Sequence, residues 1–198
     1  DVNFLGTGYG QNVDVWFGAY HHTGFAGQLM LGLTNSTGGC DNGVYTAYCS
    51  ELNQFIGGNY QYDQVPVAAL PDPGPPMGAA RADAIARMWY GAAGAQYGTD
   101  SDFTAAFQVA IWEIEYDWTG LTTLADLSSG GFTGSGFNAN MLADLNFLFG
   151  LANGNGLMSN LCGLSNHDRQ DQIIEVPGPG SLALLGVLGI ILPNRRRS

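Results

Sequence analysis

The chain has 198 residues, 45% of them hydrophobic and 12% charged, with 30 glycines, a composition that excludes general disorder and suits one domain with appendages, built on many turns and short strands. Its formal charge is −11, and because Arg195, Arg196 and Arg197 stand at the very end, residues 1–180 carry 3 − 17 = −14. Such a surface repels nucleic-acid phosphates and anionic lipid headgroups, so no nucleic-acid partner is expected.

Residues 1–60 alternate polar and apolar positions in short runs, among them Val13-Asp14-Val15-Trp16-Phe17 and Gly27-Gln28-Leu29-Met30-Leu31, and read as antiparallel strands. Gly6-Thr7-Gly8-Tyr9-Gly10 reads as a turn, since no helix follows to make it a phosphate loop. His21 and His22 are adjacent, and neighbours on a strand face opposite ways, which argues against shared metal ligation. Residues 34–43 have the composition of a tight hairpin turn and contain Cys40; the strand Val44-Tyr45-Thr46-Ala47-Tyr48-Cys49 follows, so Cys49 ends a strand. Pro71, Pro73, Pro75 and Pro76 then forbid helix and ladder pairing and mark a linker.

After the linker the period becomes helical. Residues 79–90 place Ala82, Ile85, Ala86 and Trp89 on one stripe, ended by Gly91 and Gly94. A second helix, capped by Ser101 or Asp102, buries Phe103, Ala106, Phe107, Ala110, Ile111 and Ile114. That cap explains Asp100 and Asp102 more simply than calcium does, and Glu113 and Glu115 read more readily as a solvated face than as a proton relay. A third helix is predicted over 138–151, with Met141, Leu142, Leu145, Leu148 and Phe149 inward, and Gln172-Ile173-Ile174-Glu175-Val176 returns to strand. His167 falls in a polar loop. The order predicts an α+β fold: an antiparallel β-sandwich or barrel with an inserted three-helix subdomain.

Cys40, Cys49 and Cys162 make an odd count, which in an exported protein leaves one sulfur outside a disulfide. The chain holds no lysine, so a lysine isopeptide bond or Schiff base is ruled out, although acidic exported proteins can be lysine-poor by composition alone. It starts at Asp1 without methionine or apolar leader, as expected after removal of a signal peptide or trimming.

Tyr48-Cys49-Ser50-Glu51-Leu52 and Phe107-Gln108-Val109-Ala110-Ile111-Trp112-Glu113-Ile114 resemble the cysteine strand and the QxAIW segment of bacterial thioester domains. The Phe25-Ala26-Gly27-Gln28-Leu29 strand and the intervening helix are similar to thioester domains of exported proteins with PEP-CTERM tails, so the resemblance spans residues 1–176. It implies an internal thioester between Cys49 and Gln108, formed with loss of ammonia and without cofactor or metal. It also implies an acyl trap that turns over once, a covalent binder rather than an enzyme, attacked by an amine or hydroxyl of a protein or polysaccharide surface. Trp112, one helical turn from Gln108, is placed to keep water off the bond, and Tyr48 to assist it. If Cys49 is so engaged, Cys40 and Cys162 remain as a disulfide pair; a Cys40–Cys49 bridge competes and would abolish the thioester. The bland account is a buried cysteine and a satisfied helix glutamine.

Residues 177–198 combine Pro177-Gly178-Pro179-Gly180, an apolar run over 181–192 and a final arginine cluster, and resemble a PEP-CTERM signal read by exosortase in Gram-negative bacteria that make exopolysaccharide; Gly178 stands where that family carries Glu. The apolar run would rise about 18 Å as a helix, short of the ~30 Å hydrocarbon core, so only transient membrane insertion is expected. An apolar tail packed on the domain is the alternative. The expected function is covalent adhesion or matrix attachment at the cell surface or in a biofilm. The alternative is a structural subunit of an extracellular filament or sheath, a homopolymer in which the Cys49–Gln108 link only staples the fold. A cysteine hydrolase would need an oxyanion motif that the sequence lacks.

Overall fold

The computed structural model describes residues 1–176; the sorting-tail reading of 177–198 falls outside the described residues. A long hairpin begins the chain, β1 (Val2–Phe17) and β2 (Tyr20–Leu33), closed by Gly18 in the left-handed region at φ 56°. The strands β3 (Gly43–Cys49), β4 (Asn59–Tyr60), β5 (Asp63–Val65), β6 (Phe132–Ser135), β7 (Leu161–Asn166) and β8 (Arg169–Glu175) complete one antiparallel sheet. Its order is β4-β1-β2-β3-β8-β7-β5, with β6 also paired to β1. The fold is α+β, and the sheet curls as an open half-barrel rather than splitting into a sandwich.

Gly6 to Gly10 is not a turn but part of β1, with register shifts between Phe4 and Gly6 and between Thr7 and Gly10. The glycines serve close approach. A Cβ at Gly8 would lie 2.5 Å from Gln28 Oε1, and that side chain receives the Tyr9 N–H at 3.0 Å and donates to the carbonyls of Gln96 and Gly98. Composition alone cannot separate a bulged strand of this kind from a turn.

Three helices follow: α1 (Gly78–Gly91), α2 (Ser101–Asp117) and α3 (Ala139–Asn153). They are not one uninterrupted insertion, because β6 returns to the sheet between α2 and α3. Asp100, not Ser101 or Asp102, caps α2: its backbone is extended and its carboxylate accepts from the N–H groups of Asp102 and Phe103. Asp102 instead ties α2 to β1 and α3 by accepting from Gln11, Asn138 and Asn140. Leu142 points outward, while Met141, Leu145, Leu148 and Phe149 are buried as expected. Since α2 lies in the hollow of the sheet between β1, β2, α1 and α3, every residue from Phe103 to Glu115 is buried, polar ones included. Packing on all sides removes the solvent face that a one-sided stripe would predict.

Candidate functional site

The site begins where a strand loses its neighbour. β2 and β3 pair from Leu33 opposite Gly43 to Leu29 opposite Ala47, and there the ladder stops. Two residues further on, the register would set Gly27 opposite Cys49, but Gly27 crosses Gly10 of β1 at φ 148°, where a Cβ would lie 2.4 Å from Tyr9 O. Only glycine fits that crossing. On its other side β3 continues along β8, with Cys49 opposite Gln172 and the Ser50 N–H donating to Asp171 O at 3.1 Å. The alternation of an antiparallel ladder then turns the N–H and C=O of Cys49 away from β8 and into the gap that β2 leaves.

Gln108 fills that gap. The Cys49 N–H donates to its Oε1 at 2.9 Å, and its Nε2 donates to Cys49 O at 2.7 Å. A primary amide carries a donor and an acceptor in the spacing of a peptide group, so the side chain acts as one rung of a missing strand. Both residues are enclosed, Cys49 at 4% and Gln108 at 1% exposure.

A cavity of about 350 Å³ reaches this pair from the surface. Cys49, Gln108 and Trp112 form part of its wall with Phe4, Phe25 and Ile56, and the half-buried His22 and the exposed Phe55 also line it. His22 lies along the strand over Gly24, where a Cβ would meet its Nε2 at 2.0 Å. A larger hollow of about 430 Å³, bounded by Asp1, Asn35, Ser36 and Gln64, contains neither cysteine nor histidine.

Burial first, and then the charge of Glu115, pushes the Cys49 thiol well up from its ordinary pKa; the Trp112 indole opposes this and Glu51 adds to it. The sulfur is therefore held as a thiol at neutral pH. The Trp112 N–H meets no acceptor in full hydrogen-bonding geometry, yet lies near enough to the sulfur to favour its thiolate.

Glu113 and Glu115 are not on a solvated face. Both are buried, as are Glu51 and Asp171. Burial raises Glu113 to about 7, Glu51 to about 8 and Asp171 to about 6, and pushes Glu115 well above the usual carboxylate range. Glu113 receives the Thr122 hydroxyl at 3.1 Å, whereas neither oxygen of Glu115 has a hydrogen-bond partner.

Trp112 lies within the cavity wall, one turn from Gln108. Tyr48 does not: it is wholly buried against Trp89 and Phe107, and its hydroxyl donates to Gln96 O at 2.5 Å. All three cysteines are free thiols. The side chains of Cys40 and Cys162 lie close together, and Gln64 of β5, the strand paired with β7, accepts the Cys40 N–H at 3.0 Å. Cys40 lies before β3 and Cys49 ends it, and the side chain beside Cys40 is that of Cys162 rather than Cys49. Sequence reasoning missed Glu51, His22 and Phe55. The first sits two residues after Cys49, the nearest thing to a signal; His22 is brought to the cavity by the register of β2, and Phe55 by the loop between β3 and β4.

No family model matches the sequence, and no curated protein matches it. Among solved structures the chain is similar to the N-terminal thioester domain of fibronectin-binding protein SfbI from Streptococcus pyogenes, at 14% identity and a TM-score of 0.45, over 84% of this chain and 94% of that one.

Proposed function

We propose that this chain is a surface-displayed covalent binder that carries an internal thioester between Cys49 and Gln108 and uses it for adhesion or matrix attachment. The observation that carries the reading is the two-point lock of the Gln108 amide on the Cys49 main chain at the inner end of an open cavity. Closure adds Cys49 Sγ to Gln108 Cδ and breaks the Cδ–Nε2 bond; the thiol proton ends on nitrogen, which leaves as ammonia. Negative charge developing on Oε1 meets the Cys49 N–H, which already donates to that oxygen. Attack by an external amine then forms an amide at Cδ and returns the thiol, while a hydroxyl forms an ester.

Trp112 shields the bond from water, and Tyr48 supports β3 from the aromatic cluster behind it. Cys40 and Cys162 close as a disulfide in an oxidising compartment, leaving Cys49 as the odd sulfur. The partner is an amine- or hydroxyl-bearing protein or polysaccharide surface. Exosortase handles residues 177–198 as a sorting tail on a domain of residues 1–176, and covalent copies of the chain form no lysine cross-links, since there is no lysine to attack.

Intact-mass measurement with and without methylamine tests the reading. The expected mass is short by one ammonia, restored as a methylamide on Gln108, with glycerol reacting less than methylamine; Cys49→Ala abolishes both signals. A full mass with no methylamine adduct overturns the proposal, and an ammonia deficit that resists methylamine makes the link an inert staple instead.

A further inference from the structure

Building on the thioester reading, we propose that the partner is an extended polypeptide segment that adds as a strand to the free edge of β2 and so presents an amine-bearing side chain to the Cys49–Gln108 bond. β2 pairs with β1 from Tyr20 opposite Phe17 to Leu33 opposite Val2, but with β3 only from Leu29 to Leu33. Among the described residues, no strand lies on the other side of residues 20–28. Such an edge presents main-chain N–H and C=O groups from alternate residues, a template on which another chain pairs. Edges that are kept unpaired carry lysine, proline or inward-pointing charges, whereas Tyr20 to Gln28 include no proline and no Lys, Arg, Asp or Glu. Tyr20 to Phe25 are exposed or half-buried, so the lane beside them is open to an incoming chain.

The lane leads to the reacting pair. A strand added antiparallel to β2 lies on the line that β3 would have kept had it not followed β8, and the Gln108 amide stands at the inner end of that line, beside Cys49. A residue opposite Phe25 is two positions from the place opposite Gly27, roughly 7 Å at the antiparallel rise, a span that the four-carbon stem of a lysine covers. Gly24, Phe25 and Gly27 line the same cavity as Cys49 and Gln108, so the edge and the bond share one space. Side chains two positions to either side of the amine face the cavity with it, where Ile56 and the exposed Phe55 offer apolar contact. Gln54, on the same wall, gives its Nε2 to His167 O at 2.8 Å and leaves Oε1 without a donor, an acceptor for an N–H of the incoming chain.

Charge selects among such segments. The −14 carried by residues 1–180, with Asp14 opposite Thr23 on β1, favours a basic one, and a second copy of this chain has no lysine to present. Capture forms the N–Cδ bond, breaks Cδ–Sγ and moves one amine proton to sulfur.

The test mixes the full chain, at equal probe concentration, with Nα-acetyl-lysine amide, with the acetylated peptide Thr-Val-Thr-Lys-Thr-Val-Thr amide, and with that peptide N-methylated at every other backbone nitrogen in one phase or in the other. Intact mass follows the adduct. The peptide should react at least about tenfold faster than Nα-acetyl-lysine amide, because docking holds its amine at the bond. Methylation in the phase that faces β2 should remove that advantage, and methylation in the other phase should keep it. Equal rates for peptide and Nα-acetyl-lysine amide, or equal loss in both phases, overturn strand addition. A glucosamine oligomer that outpaces the peptide overturns it too, and makes the partner a polysaccharide. In Cys49→Ala, which forms no bond, the peptide should slow hydrogen exchange at alternate amides within residues 20–28; no slowing overturns the proposal. Protection of those amides that grows with chain concentration and needs no peptide makes a second copy the occupant and likewise overturns it. A wild-type chain with neither ammonia deficit nor methylamine adduct overturns the thioester reading instead, and the exchange result then decides strand addition alone.

Discussion

The lock between Gln108 and Cys49 can be weighed apart from any covalent bond. In a Cys49→Ala background no thioester forms, yet the main-chain N–H and C=O of residue 49 still meet Gln108. Adding Gln108→Ala strands both groups in a gap that β2 has vacated. Each lost partner that leaves a buried main-chain group unsatisfied costs about 1–3 kcal/mol, and water entering from the adjacent cavity recovers part of it, so the pair is expected to cost about 2–4 kcal/mol. Urea unfolding of the single and double variants reads this as a drop in midpoint at unchanged slope. Gln108→Glu should do no better at neutral pH, because a carboxylate accepts from the N–H but offers nothing to the carbonyl. A difference below about 1 kcal/mol between single and double variants would refute the missing-rung account, since that is the scale of one ordinary hydrogen bond.

Stability should fall as pH rises from about 5 to 8. Glu51, Glu113 and Asp171 all bind their protons more tightly folded than unfolded, so the stability they add is complete below about pH 4 and is lost as pH climbs through about 6 for Asp171, 7 for Glu113 and 8 for Glu51. Thermal melts across that range should show it, Glu113→Gln should remove part of the slope, and a flat or rising profile would contradict the burial of these acids. Oxidation should join Cys40 to Cys162 and close a loop of 162 − 40 = 122 residues, worth about 4–5 kcal/mol in the chain-entropy picture. Urea unfolding with and without reductant, against a Cys40→Ser control insensitive to reductant, reads the difference; equal midpoints would place the two sulfurs apart.

The parts of the fold written in local patterning were legible in the sequence. Alternation gave β2 and β3, the prolines gave the loop before α1, and helical spacing gave three helices within a few residues of their ends. The errors share one physical origin. Gly6 to Gly10 was read as a turn, and Glu113 and Glu115 as solvated, because both depend on what a distant segment places beside them: β2 crossing β1 at Gly10 and Gly27, and a sheet wrapping α2 on every side. The meeting of Cys49 and Gln108 is non-local too, and it was expected only because two segments carried a resemblance. Nothing in strand or helix periodicity says that the ladder between β2 and β3 stops at Ala47, and it is that stop which leaves a pair of main-chain groups for a glutamine to hold.

The same missing rung orders the nucleophiles. The thioester keeps the carbonyl oxygen that accepts the Cys49 N–H but has no nitrogen to donate to Cys49 O, so closure exchanges one buried hydrogen bond for a covalent one. Attack by ammonia restores the primary amide and with it both hydrogen bonds to Cys49. Attack by methylamine installs a secondary amide whose preferred trans form puts the methyl group where the donating hydrogen stood, and attack by a hydroxyl leaves an ester with no donor, so in both products Cys49 O stays unpaired. The regained hydrogen bond is worth about 0.5–1.5 kcal/mol net, so at equal concentration ammonia should open the bond more completely than methylamine, while methylamine outcompetes glycerol through the greater intrinsic stability of an amide over an ester.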